Sequence, residues 1–215
     1  MKKTTWLLVS VLLLAFAVES HSQSEFISST QTASFFNLGY ATSSNFNMGR
    51  VDGGLTMNGW SDGRVYFAVS DLGPTGSTLY SMGMVIRPFV RTPESDGASF
   101  ILGLPATLEA YNTTGGGGGS AFSGCFWSIG GSLDIPVRTG AASRLDLSVA
   151  WSFGDFFWGD DLTDGGSTAT AVGIGQSVPI ASGSLLILGV GASFAEDADE
   201  AALLFQLGFL FPKPR

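Results

Sequence analysis

A chain of 215 residues fits a single domain, but its composition is not that of a soluble one. Hydrophobic residues make up 45% of the chain and charged residues 13%, about half the charged fraction of ~25% in typical soluble domains. The net charge of −8, without a basic cluster, excludes the electrostatic surface that nucleic-acid binders use. The single cysteine, Cys125, excludes an intrachain disulfide and a CxxC metal or redox site.

The N-terminus has the pattern of a secretory signal peptide. Lys2 and Lys3 precede a short apolar run, Trp6–Val18, with small residues near its end, and these are the three parts of such a peptide. The run is too short for a membrane-anchoring helix, and it lacks a stop-transfer flank. We therefore predict a cleaved signal peptide at 1–20, followed by a polar lead at 21–32.

A long two-residue alternation begins in the middle of the chain. Every second residue from Cys125 to Val137 is apolar or glycine, and the residues between them are mostly small or polar. The pattern resumes from Leu145 to Phe153, after a turn predicted at 139–142. Alternation of this length indicates strands with one large apolar face and one small polar face. That arrangement favours a membrane barrel with an apolar outside.

The alternation extends to the rest of the chain after residue 32. We predict an all-β fold at 33–215, a closed antiparallel transmembrane β-barrel with eight strands as the alternative to ten. The ten strands lie at about 33–42, 46–59, 64–71, 79–91, 99–111, 125–137, 145–153, 168–180, 184–194 and 201–211. Compact turns follow the even-numbered strands and longer loops follow most odd-numbered ones, which is typical of outer-membrane barrels. Turn signals include Ser61–Gly63, and 155–166 is predicted to be an acidic loop.

Four prolines fall inside predicted strands. Pro88, Pro105, Pro136 and Pro179 cannot donate to a strand ladder, and a closed barrel has no edge strand to hold them. We therefore expect β-bulges or strand ends at these positions.

The last strand carries a family resemblance. Leu203, Phe205, Leu207, Phe209 and Phe211 alternate with smaller or more polar residues. This resembles the C-terminal strand by which bacterial outer-membrane β-barrels are recognised, although Pro212–Arg215 follows the final aromatic residue. With the signal peptide and the loop asymmetry, the chain is similar to small barrels of the OmpA/OmpX/OmpW type. The resemblance implies a location in the outer membrane of a Gram-negative bacterium, with lipid, lipopolysaccharide and the barrel-assembly machinery as partners.

The sequence does not indicate an enzyme. The only histidine, His21, lies beside the predicted cleavage site, so a Ser-His or Cys-His pair cannot form in the barrel. The glycine run at 115–119 lacks the Lys-Ser/Thr of a phosphate loop, and the acidic loops lack calcium-loop spacing. We predict no catalytic residues, no metal site and no cofactor.

Alternation predicts a charged interior. The residues that should face the lumen are Arg50, Asp52, Arg87, Glu109, Asp134, Arg138, Arg144 and Asp146. They could form an ionic path for small solutes, or a structural network filling a narrow lumen. We favour the network, because small barrels are largely filled by side chains and charges facing lipid are costly.

Aromatic residues cluster near the predicted strand ends. Trp127, Trp151, Phe153 and Trp158 are predicted at the outer membrane interface, and Trp60, Phe209 and Phe211 at the inner one. Two aromatic girdles are typical of membrane barrels.

Three functions remain open from the sequence. The first is an outer-membrane barrel with a structural or surface-interaction role and a narrow or plugged lumen. The second is a small porin-like channel that admits solutes. The third is a soluble, lipocalin-like binder, in which the large apolar face would point inward around a ligand.

Overall fold

The computed structural model describes residues 32–57, 60–73, 76–114, 123–140, 143–159, 166–180, 183–196 and 200–212. The predicted signal peptide, nearly all of the polar lead and the glycine run lie outside these residues. The strands are β1 (Ala33–Thr42), β2 (Asn47–Met57), β3 (Ser61–Leu72), β4 (Ser77–Arg91), β5 (Ile101–Gly103), β6 (Ala106–Thr114), β7 (Ser123–Arg138), β8 (Arg144–Gly159), β9 (Ser167–Pro179), β10 (Leu185–Ala195) and β11 (Ala202–Pro212).

The strands close into an antiparallel barrel. Each strand pairs with its neighbours in sequence, and β1 pairs with β11 to complete the ring. Strands β5 and β6 both pair with β4 and β7, so together they occupy one strand position, which is interrupted at Leu104 and Pro105. We call each strand position around the barrel a rung. The barrel thus has ten rungs, which confirms the predicted number, and the eight-strand alternative is wrong.

Proline does not shift the strand register in this barrel. Pro88 and Pro136 lie within β4 and β7, and Pro179 ends β9. At the β5–β6 interruption the ladder continues through single hydrogen bonds, since Leu104 N donates to Pro88 O and Gly130 N donates to Pro105 O. Among the described pairings, the register shift lies between Cys125 and Phe126, opposite Phe157. The bulges expected at prolines are therefore absent from Pro88, Pro105 and Pro136, whereas the expected alternative, a strand end, is found at Pro105 between β5 and β6 and at Pro179.

The large apolar side chains face outward. Alternate residues of each strand are exposed, and these include most of the leucine, isoleucine, valine and phenylalanine of the strands. The polar and small residues between them are buried inside the barrel. This orientation contradicts the lipocalin-like alternative, which needs the apolar face inside. No helix among the described residues is long and apolar enough to cross a membrane.

The two ends of the barrel differ. We call the end that holds Ala33 and Phe211 the terminal rim, and the opposite end the loop rim. The connection between β4 and β5 extends from the terminal rim as a hairpin, which turns at Asp96 and Gly97 with φ angles of 52° and 80°. An Asp-Gly pair suits this turn because both residues tolerate positive φ. The segment Pro93–Gly97 lies in this hairpin.

Two connections are shorter than predicted. Ser61–Gly63 is not a turn but the first part of β3, so Asp62 faces the lumen. Strand β8 continues to Gly159 instead of ending at Phe153, because residues 154–159 keep pairing with β7 across the bulge. The predicted acidic loop at 155–166 therefore begins after β8 ends.

Candidate functional site

The lumen contains most of the predicted charged residues. Arg50, Asp52, Arg87, Glu109, Asp134 and Asp146 are buried inside the barrel, together with Asp62 and Arg64, which the sequence analysis missed. Arg138 and Arg144 differ from the prediction. They stand at the strand ends on the terminal rim, where the side chain of Arg138 is 53% exposed and that of Arg144 22%.

Arg87 is the centre of the lumen network. Its Nη2 lies 2.9 Å from Asp62 Oδ2, and its Nη1 lies 2.9 Å from Asp134 Oδ2. The side chain reaches from β4 to β7 across the intervening rung at Gly103. A Cβ atom on Gly103 would lie 2.6 Å from Ser132 Oγ and 3.0 Å from Arg87 Cδ. Glycine at this position therefore gives Arg87 the space to join two carboxylates on separate strands.

A second network lies beside it on β1, β2 and β3. Asn37 Nδ2 donates to Asp52 Oδ1 at 2.8 Å, and Arg50 Nε lies 3.4 Å from Asp52 Oδ2. The guanidinium of Arg50 stacks 3.8 Å from the centre of the Tyr66 ring, which is cation–π distance. The Tyr66 ring itself covers Gly83 on β4, where a Cβ atom would lie 2.5 Å from the ring. Paired charges and flat aromatic rings thus fill this side of the lumen.

Apolar side chains form one buried group in the loop-rim half of the lumen. We call this group the loop-end cluster. It is formed by Ala41, Phe46, Met48, Ala68, Leu72, Leu79, Tyr111, Phe126, Ala169, Ala171, Ala195, Ala202 and Leu204, with Phe156 packed against them. Every rung contributes to it. Phe156 makes edge-to-face contacts with Tyr111 and Phe126, at centroid distances of 5.5 and 5.3 Å. An apolar layer of this kind excludes water from a narrow pore, as hydrophobic gates do.

Small residues line the wall opposite the arginines. Apart from Asp146 and Ile187, the inward positions of β8, β9 and β10 over the middle of the barrel are serine, alanine or glycine. They are Ser148, Ala150, Ser152, Ala171, Gly173, Gly175, Ser177, Gly189, Gly191 and Ser193. The long side chains of β2 to β4 can therefore extend into the lumen without meeting bulk from this wall.

Arg138 and Arg144 bind the hairpin of the terminal rim. Arg138 Nη2 lies 2.6 Å from Glu94 Oε1, and Arg144 Nη2 lies 3.5 Å from Glu94 Oε2. The Arg138 amide also donates to Gly97 O at 2.6 Å. We call Glu94, Arg138 and Arg144 the rim latch, since together they hold the β4–β5 hairpin against β7 and β8.

The predicted interface aromatics all lie outside the lumen, although at different heights. Trp127 and Phe153 contact each other edge-to-face toward the loop rim, and Trp158 is nearer that rim. Trp60, Phe209 and Phe211 lie near the terminal rim. Trp151 stands midway along β8 instead of at the rim, because β8 is longer than predicted.

Two further points concern the charged residues of the lumen. Among the described residues, no cluster of three or more histidine, cysteine, aspartate or glutamate side chains could hold a metal ion. Asp62 and Arg64 could have been found by extending the alternation of β3 backward from Tyr66. The Ser-Asp-Gly turn signal hid Asp62, whereas Arg64 lies inside the predicted strand at 64–71 and was not singled out.

Comparison with known proteins identifies the architecture. No family model matches the sequence, and no curated protein matches it. Among solved structures, the translocator domain of the autotransporter NalP from Neisseria meningitidis aligns with a TM-score of 0.52 and 8% identity. The alignment covers 94% of this chain and 96% of that one. At this identity the match shows the fold alone, which is that of an outer-membrane β-barrel.

Two other outer-membrane barrels align less closely. The β domain of the Bordetella autotransporter BrkA has a TM-score of 0.49 and 13% identity, covering 85% of this chain and 98% of that one. The outer membrane protease OmpT from Escherichia coli has a TM-score of 0.49 and 8% identity, covering 88% and 98%.

Proposed function

We propose that this protein resides in the outer membrane as a closed, non-enzymatic barrel with a structural or surface-interaction role. The observation that carries the proposal is the loop-end cluster, a single buried apolar cluster to which every rung contributes. Behind it, the charged residues are engaged with one another at 2.9–3.7 Å. A small lumen filled in this way supports a rigid scaffold better than a solute path.

The outer surface supports residence in a membrane. Exposed residues such as Val65, Met82, Leu104 and Trp158 form an apolar surface around the barrel. A soluble protein rarely exposes an apolar surface of that extent, whereas lipid covers it at no cost. Under this proposal outer-membrane lipid and lipopolysaccharide surround the barrel, and the assembly machinery recognises β11.

Location is tested by fractionation of cells that express the full chain. We expect recovery in the outer membrane and an unheated band that migrates faster in detergent gels than the heated one. Recovery in the soluble periplasm would contradict the proposal.

Closure is tested by conductance in planar bilayers. We expect the wild-type barrel to be silent, and the double variant Met48→Ser/Phe126→Ser to conduct, because both side chains are fully buried in the loop-end cluster. The matched control is Leu185→Ser/Ile187→Ser, which removes apolar bulk near the terminal rim and should stay silent.

The charged lumen makes a small solute channel the second candidate. Steady conductance of the wild-type barrel would favour that channel over the closed scaffold. A double variant that folds, as shown by heat-modified migration, but does not conduct would show that the loop-end cluster is not the closure.

A further inference from the structure

The buried charges of the lumen do not balance. Among the described residues, three buried arginines, Arg50, Arg64 and Arg87, stand against five buried carboxylates, Asp52, Asp62, Glu109, Asp134 and Asp146. Arg144 is nearby, but its guanidinium lies at the rim beside Glu94. Burying excess charge of one sign is costly unless something compensates it. The lumen therefore favours the uptake of positive charge.

Oxygen atoms without protein partners mark where that charge fits. Asp134 Oδ2 binds Arg87, but Asp134 Oδ1 is buried and has no hydrogen-bond partner. Ser148 Oγ, also buried, has none either. Asp134 and Ser148 are directly opposite each other on β7 and β8, where inward side chains are close neighbours. Asp146 is the next inward residue on β8.

The adjoining wall carries no side chains at this point. Ser148 pairs with Gly173 on β9, and Asp146 pairs with Gly175. The next strand continues with Gly191 and Gly189. These four residues have no side chains, so nothing from β9 or β10 fills the lumen next to the three oxygen-bearing residues.

We propose that a monovalent cation, Na⁺ or K⁺, binds in the lumen beside Asp134, Asp146 and Ser148. Carboxylate and hydroxyl oxygens are the ligands that hard cations prefer. Two carboxylates suit a singly charged ion, and no cluster of three acidic, histidine or cysteine ligands is present among the described residues to chelate a divalent one. The bound ion offsets one of the two excess carboxylate charges without breaking the ion pairs of Arg87.

The test compares cations at constant ionic strength. The full barrel, folded in detergent, is melted in NaCl, in KCl and in N-methyl-D-glucamine chloride, whose cation is too large for the site. We expect the melting temperature to be about 3 °C higher in NaCl or KCl than in N-methyl-D-glucamine chloride, when the cation that binds is present at roughly ten times its dissociation constant. Equal melting in the three salts would overturn the proposal, because a proton would then be balancing the charge.

Two variants and a control locate the effect. Asp146→Asn should abolish the difference between small and large cations, and Ser148→Ala should reduce it. Asp71→Asn, at an exposed position near the loop rim, should keep it. A difference of the same size in all four proteins would place the cation elsewhere and overturn the proposal.

A direct measurement on the wild-type barrel does not depend on the variants folding. Binding should broaden the ²³Na resonance, and added K⁺ should reverse the broadening at concentrations where N-methyl-D-glucamine does not. Broadening that both cations reverse equally would indicate non-specific screening and contradict the site.

Discussion

Arg87 shows how much one residue contributes to the interior. Its guanidinium joins Asp62 and Asp134, and all three side chains are at most 3% exposed. Arg87→Met should therefore leave Asp134 buried without its cation, and Asp62 with only the more distant Arg64 at 3.7 Å. Breaking a buried ion pair typically costs about 3–5 kcal/mol, and we expect a loss of that size in the free energy of unfolding. The measurement is the urea midpoint of the folded band in detergent gels.

Arg138 supplies the matched control at the residue scale. It also pairs with a carboxylate, but its side chain is 53% exposed, and exposed pairs contribute about 0–1 kcal/mol. Arg138→Met should thus shift the urea midpoint little. Equal losses in the two variants would show that Arg87 does not act through its burial between two carboxylates.

Single residues also show what alternation can and cannot predict. The parity of a position predicts its face, which is why six of the eight charges expected inside are buried there. Parity does not fix height along the barrel. Arg138 and Arg144 have the inward parity but lie at the strand ends, and Trp151 has the outward parity but lies midway along β8.

At the element scale, the β4–β5 hairpin depends on the rim latch. Glu94→Gln should weaken its hold on Arg138 and Arg144 while keeping its shape. Because the latch is partly exposed, we expect a change below about 1 kcal/mol in global stability. Local opening should increase, and the Arg138 amide that donates to Gly97 O should exchange with deuterium several-fold faster.

The same hairpin offers a control with equal chemistry. Asp96→Asn also replaces an acid by its amide, and asparagine tolerates the positive φ at this position. The amide exchange of Arg138 should therefore remain as in the wild type. Faster exchange in both variants would mean that net charge, and not the latch, holds the hairpin.

Strand count and order could be predicted from the sequence, but the effect of the prolines on the strand register could not. Antiparallel neighbours with short connections give the order of the rungs directly. A proline removes one donor, yet the opposite hydrogen bond of the same pair can remain, as Leu104 N to Pro88 O shows. The register therefore passes through Pro88 and Pro105 unchanged, which the sequence alone did not indicate.

At the scale of the whole molecule, the sequence led us to expect a narrow or plugged lumen, but the loop-end cluster could not be deduced from it. The members of the loop-end cluster come from every rung, and they meet because strand tilt and stagger bring them to one level. Their sequence positions, from Ala41 to Leu204, give no sign of this. The charged half of the lumen, by contrast, follows from alternation once Asp62 and Arg64 are included.

The charge of the lumen leads to a prediction about the opened barrel. Once Met48→Ser/Phe126→Ser removes the closure, ions must pass three arginines and five carboxylates among the described residues. A narrow path with excess negative charge concentrates cations. In a KCl gradient the reversal potential should therefore lie closer to the equilibrium potential of K⁺ than to that of Cl⁻. Adding Asp146→Asn to the opened barrel should move it toward zero, whereas adding Asp71→Asn should not. A preference for Cl⁻ would mean that the arginines, and not the carboxylates, set the potential along the lumen.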